Sequence, residues 1–153
     1  MIQRVQSIYL LIAAVLTSIT AALPVVTLTG NSLNGIARIT PIAVDSTLPD
    51  LAGVHPWGIT AALVLAVVLS LVAIFAYGNR RKQIRLVNLA CTMNVLTLLA
   101  TAFYAWNLSQ STASTPSPDV AILLPALSVI ATLMARRGIR HDEALVRAAD
   151  RIR

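Results

Sequence analysis

Few residues in this 153-residue chain could do acid–base or covalent chemistry, and they are scattered. The acids are Asp45, Asp50, Asp119, Asp142, Glu143 and Asp150, the histidines are His55 and His141, and the one cysteine is Cys91. A metalloprotease would need His-Glu-x-x-His on one helix face, and a phosphate loop would need a glycine-rich turn ending in lysine. The chain has neither. A lone cysteine allows no internal disulfide and no cysteine-based metal site; Cys91 reads as a small packing residue. Apart from Asp119 at the very start of the fourth, the long apolar runs contain no Asp, Glu, His or Lys. A reaction inside them would lack a nucleophile–base pair, a general acid and a metal. The expectation is a protein that is not an enzyme, with no catalytic residue, no cofactor and no metal.

The runs do carry a polar stripe. Asn94, Thr97, Thr101 and Tyr104 fall within about a quarter of the circumference of a helix turning 100° per residue. Two readings are open. The stripe is a hydrogen-bonding pocket of a small transporter or of a lipid- or small-molecule-binding protein, or it joins helices. Such interhelical contacts contribute only about 0.6 kcal/mol each on average in membranes. Packing is the favoured reading.

The elements that must hold these residues follow from composition. Apolar residues make up 57% of the chain and charged residues 12%, against about 25% charged in an ordinary soluble domain. So short a chain cannot bury that much aliphatic surface in water, whereas lipid can cover it. Runs at 5–26, 57–78, 86–108 and 118–135 approach or exceed the roughly 20 residues that cross a bilayer. The fold class expected is an all-α integral membrane protein, a four-helix up-down bundle over residues 1–140. The first run could instead be a signal peptide, with Thr20-Ala21-Ala22 as a poor cleavage site; its length favours a retained helix. Gln3, Gln6, Ser7, Ala14, Thr17, Ser18 and Ala21 share its inward face. Gly58, Ala62, Ala66, Ser70 and Ala73 form a small-residue ridge on the second run, of the kind that lets helices approach closely. The two ridges suggest that the first pair of helices packs together. Trp57 and Tyr77 end the second run, where amphipathic rings favour the interface.

Between the second and third runs lies a basic hinge, Asn79 to Arg85, with Arg80, Arg81, Lys82 and Arg85. Its cations could bind lipid headgroups, but their surest role is to set topology. Ser117-Pro118 reads as an N-cap with proline in the first turn, and Pro125 as a kink in the fourth helix. Residues 27–56 contain two strand-like segments about a turn-rich Gly30–Gly35, which suits a β-hairpin, and 109–117 read as a short flexible loop. Eleven of the twelve cations fall with the two termini and the hinge; only Arg38 falls with the loops. This bias places both termini in the cytoplasm and the protein in the bacterial inner membrane. It also argues against nucleic acid as a partner, since a basic groove interleaved with aromatic residues is absent.

Residues 141–153 read as a separate cytoplasmic amphipathic helix. Its acids balance its arginines, so it is not built only to adhere to anionic lipid. Glu143 and Arg147 form a favourable i,i+4 pair. Leu145, Arg147, Ala148 and Ile152 are the candidate contacts for a protein partner. The expected function is that of an accessory or scaffold component of the membrane.

The two ends carry a resemblance. Met1-Ile2-Gln3-Arg4-Val5-Gln6-Ser7-Ile8-Tyr9-Leu10-Leu11 and the closing Asp142-Glu143-Ala144-Leu145-Val146-Arg147-Ala148-Ala149-Asp150-Arg151-Ile152-Arg153 resemble the end signatures of a small four-span family from Bacteroidota, the domain of unknown function 4293. The Arg81-Lys82-Gln83-Ile84-Arg85 hinge and the Leu124-Pro125 pair agree with it. The resemblance implies an inner-membrane protein and implies no activity.

Overall fold

A computed structural model describes residues 3–30, 36–47 and 55–150, without the side chains of Gln3, Arg4, Arg147, Ala149 and Asp150. Four helices carry the chain: α1 (Gln3–Thr20), α2 (Trp57–Phe75), α3 (Arg80–Thr112) and α4 (Leu123–Asp150). Four short strands, β1 (Val26–Gly30), β2 (Ile36–Ile39), β3 (Val44–Ser46) and β4 (Ser114–Pro118), form one antiparallel sheet in the order β3-β2-β1-β4.

Helix α1 is shorter than the expected run of 5–26. After Thr20 the chain tightens into i→i+3 bonds, Ala21 N to Ser18 O and Ala22 N to Ile19 O, both 3.1 Å. Pro24 then has no N–H to continue the ladder. Val25 and Val26 join the sheet instead, and Val25 N donates to Ile39 O at 2.8 Å. Pro24 therefore closes the helix rather than kinking it.

The expected hairpin forms, with Val26 opposite Ile39 and Thr29 opposite Ile36; its turn at 31–35 lies outside the described residues. Side chains alternate along β2: Ala37 and Ile39 are buried, Ile36 and Arg38 exposed, the period of two expected of a half-buried strand. Beyond the hairpin, β3 adds one edge and β4 the other. Residues 114–118 are thus a strand and not a flexible loop, pairing with β1 from Val26–Pro118 to Gly30–Ser114. Pro116 and Pro118 are tolerated there because β4 is an edge strand, whose missing donors need not serve a neighbour. Ser117-Pro118 is consequently no helix start. A 3-10 turn, Val120–Ile122, follows, and α4 begins at Leu123. Pro125 is its third residue. In the first turn the N–H has no intrahelical acceptor, so the proline removes no bond and starts the helix instead of bending it.

At the opposite end α2 closes in a 3-10 turn, Ala76–Gly78, and Asn79 caps α3: its side chain accepts from Lys82 N at 3.2 Å. The expected hinge is therefore almost entirely helical, with Arg80 to Arg85 in the first turns of α3. The tail is continuous with α4 through Gly138, with no break between 135 and 141. The bundle packs as a ring. Helix α1 lies most extensively on α4 and α2 on α3, with α1–α2 and α3–α4 contacts closing it. The first two helices do touch, but theirs is not the main interface.

The interior has three levels. Under the sheet Val26, Leu28, Ala37, Ile39, Val44, Ile59 and Ala105 cluster. At the far end Leu10, Ala73, Val87, Ala135 and Ile139 do so. Between them lies a band of buried Thr17, Thr20, Ser70, Asn94, Thr97, Thr101, Ser128 and Thr132. Large aliphatics point outward instead: Val5, Ile8, Ile12 and Val15 on α1, and Val64, Val68 and Val72 on α2.

Candidate functional site

The polar stripe of α3 lies in the central band. Asn94 is fully buried on α3. Its Oδ1 accepts from the Thr17 hydroxyl of α1 at 2.9 Å, and its Nδ2 donates to Ala90 O at 3.0 Å. Thr17 and Ser128 of α4 bring their hydroxyl oxygens to 2.8 Å, and Ser128 Oγ lies 3.1 Å from Ala13 O. One hydroxyl proton cannot serve two acceptors. Thr17 Oγ1 also lies 2.8 Å from Ala13 O of its own helix, so its one proton goes either to Ala13 O or to Asn94 Oδ1. When it goes to Asn94, Ser128 supplies its own proton to Ala13 O or to Thr17. Three helices are thus tied at one point. The rest of the stripe turns inward on its own helix: Thr97 donates to Met93 O at 2.9 Å and Thr101 to Thr97 O at 2.8 Å. Tyr104, half-buried, lies under the sheet, within van der Waals reach of a side chain built at Gly58. The predicted residues share a face, and the polar groups of Asn94, Thr97 and Thr101 are bonded within the protein.

The second constellation is at the end away from the sheet. Gln6 of α1 donates through Nε2 to Asp142 Oδ2 of α4. Asp142 is only 8% exposed, and its Oδ1 has no hydrogen-bond partner among the described residues. Gly138 permits this approach: a Cβ there would stand 3.0 Å from Gln6 Cγ. Gln6, Ser7, Tyr77, Arg80, Gln83 and Ile139 line a small cavity beside it. Gln83 reaches across to donate to Ala73 O at 3.1 Å. Of the hinge cations, Arg81, Lys82 and Arg85 are exposed, while Arg80 is half-buried.

Past Asp142 the helix runs on with Leu145 51% and Val146 46% exposed, and Ala148 exposed beside them. The Arg147 side chain and Ile152 lie outside the described residues. His141 is exposed at this end, whereas His55 stands at the other, its ring centroid 6.0 Å from that of Trp57. Among the described residues no three His, Cys, Asp or Glu side chains gather in one place.

A family model for the domain of unknown function DUF4293 matches residues 2–152. The chain belongs to the DUF4293 family. No curated protein gives a significant match. In this DUF4293 chain the two terminal segments that carry the resemblance are bonded to each other, through Gln6 and Asp142. Helical periodicity places Gln6 and Thr17 on the inward face of the first run but does not pair them with Asp142 or Asn94. The same reading puts Asp142 in a separate amphipathic tail helix and not in the bundle. The one available signal was Gly138, four residues before Asp142 on the same helix stripe.

Proposed function

We propose that this DUF4293 chain is a non-enzymatic, four-span protein of the bacterial inner membrane that docks a protein partner through the cytoplasmic end of α4. Helices α2, α3 and α4 are long and apolar enough to cross a membrane. Helix α1 has 18 residues, about 27 Å at 1.5 Å per residue, close to a bilayer's hydrocarbon thickness. Its lipid-facing side carries Val5, Ile8, Ile12, Val15 and Ile19. Trp57, Tyr77 and Trp106 are exposed near helix ends, where aromatic rings favour the interface.

The grouping of the helix ends has support independent of charge, and the charge then assigns the side. Pairing of β1 with β4 brings the α1–α2 and α3–α4 connections to one end. The start of α1, the Asn79 turn and the end of α4 are then together at the other, which holds Arg80, Arg81, Lys82, Arg85, Arg136, Arg137 and Arg140. Cations concentrate on the cytoplasmic side.

The observation that carries the docking role is the tail. Asp142 pins α4 to α1, and the helix then extends with Leu145 and Val146 turned outward. A solvated helix has no need of adjacent exposed aliphatics, whereas a helix-in-groove contact uses them as anchors. The stripe on α3 supports packing over a ligand pocket, because the polar groups of Asn94, Thr97 and Thr101 are bonded within the protein. The test is purification from native membranes of the full chain, of a chain ending after Ala144, and of the Leu145→Asp, Val146→Asp double variant. Ending after Ala144 keeps the Gln6–Asp142 bond. The account expects one stoichiometric partner to be lost from both variants. The same partner in all three would overturn the docking role.

A further inference from the structure

We infer that α4 carries a binding site for an anionic glycerophospholipid of the cytoplasmic leaflet, with its phosphate on Arg136, Arg137 and Arg140 and an acyl chain along Ile130, Leu133 and Met134. The inference rests on the membrane reading above, but uses a surface distinct from the docking tail and from the Asn79–Arg85 turn. These six residues line a groove of about 400 Å³. Leu133 and Met134 stand three and four residues after Ile130, Arg137 four and three after them, and Arg140 three after Arg137, so the five form one stripe along the helix. Ile130, Leu133 and Met134 are exposed, and the stripe turns from aliphatic to basic within a single turn.

From Ile130 to Arg140 the helix rises about 15 Å, a span that runs from acyl-chain depth to headgroup depth. A phosphodiester matches that change. Guanidinium groups present paired donors in a plane that fits phosphate oxygens, and the aliphatic part matches a lipid tail. No acidic side chain lines the groove. The acid nearest along the chain, Asp142, is turned into the bundle towards Gln6. One donor is already placed without a protein acceptor: Nε of Arg136 is buried and has no hydrogen-bond partner among the described residues. Soluble anions would use the arginines and leave the aliphatic half idle, so the composite lining selects a lipid.

The experiment uses the full chain in bilayer discs of equal phosphatidylcholine and phosphatidylglycerol, with retained lipids counted by native mass spectrometry. Arg137 and Arg140 are exposed, so the R137Q/R140Q variant should keep its fold. The comparison variant is R81Q/K82Q, which removes the same charge from exposed positions on α3. The wild type and R81Q/K82Q should retain phosphatidylglycerol over phosphatidylcholine. R137Q/R140Q should lose that preference by roughly twenty-fivefold, at about fivefold per cation. Met134→Gln, which leaves charge unchanged, should weaken retention of both lipids. Equal loss in the two charge variants would overturn the site in favour of diffuse attraction. Displacement of the lipid by millimolar inorganic phosphate would overturn it in favour of a simple anion site. Failure of the wild-type chain to enter discs would overturn the membrane reading as well, and so is distinguishable from failure of the lipid site alone.

Discussion

Thr17 illustrates how one residue holds three helices. Replacing it by valine keeps the shape and removes the donor to Asn94 Oδ1. Interhelical hydrogen bonds in membranes average about 0.6 kcal/mol and reach about 1.7 kcal/mol, so Thr17→Val should cost on the order of 1 kcal/mol in an equilibrium unfolding titration in micelles. A loss indistinguishable from zero would mean that the bond is not formed. Ala113 offers the opposite change. It ends α3 with φ 48°, the left-handed region, and is the one non-glycine residue with positive φ among those described. That conformation costs a residue with a Cβ roughly 1–2 kcal/mol, and glycine is the usual residue there. Ala113→Gly should therefore raise stability by up to about 1 kcal/mol in the same titration. At this scale the sequence is legible as faces and not as partners. Helical periodicity turns Thr17, Asn94 and Ser128 inward, but only the packed ring tells which of them meet. The strain at Ala113 is invisible in sequence because alanine is so ordinary in a helix.

The elements show why some boundaries were readable and others not. The hairpin was legible from alternating apolar residues on either side of a turn-rich segment. Strand β4 was not: Ser114-Thr115-Pro116-Ser117-Pro118 has little strand propensity, and its partner Thr29 is 86 residues from Thr115. Pairing with β1 overrides the local preference for a loop. The basic turn was expected to be a hinge because of its charge, yet Asn79 supplies a cap and α3 starts at once. Helix α4 runs unbroken because Gly138 is used for close approach and not for a stop. Gly138→Val would drive a side chain into Gln6 and take the donor from a buried carboxylate, which costs about 1–3 kcal/mol. The end of α4 should then be clipped by trypsin after Arg140 faster than in wild type. Unchanged clipping would show that the Gln6–Asp142 contact does not anchor the tail.

For the whole molecule, charge placement and β pairing divide the chain in the same way. Composition made lipid the natural solvent for the outward aliphatics, and the count of arginines assigned the sides. The sheet was not foreseen as a link between the two outer connections, since no local pattern in 114–118 announces it. On the proposed four-span reading, Asp45 of β3 and Thr115 of β4 lie on one side of the membrane, and Lys82 and Ala148 on the other. Site-directed thiol labelling tests this most directly. In a Cys91→Ala background, Asp45→Cys, Lys82→Cys, Thr115→Cys and Ala148→Cys would be exposed one at a time to a membrane-impermeant maleimide on spheroplasts. The four-span account predicts labelling of Asp45→Cys and Thr115→Cys in intact spheroplasts, and of Lys82→Cys and Ala148→Cys only after lysis. Labelling of Lys82→Cys from outside, or of Asp45→Cys and Thr115→Cys from opposite sides, would contradict it.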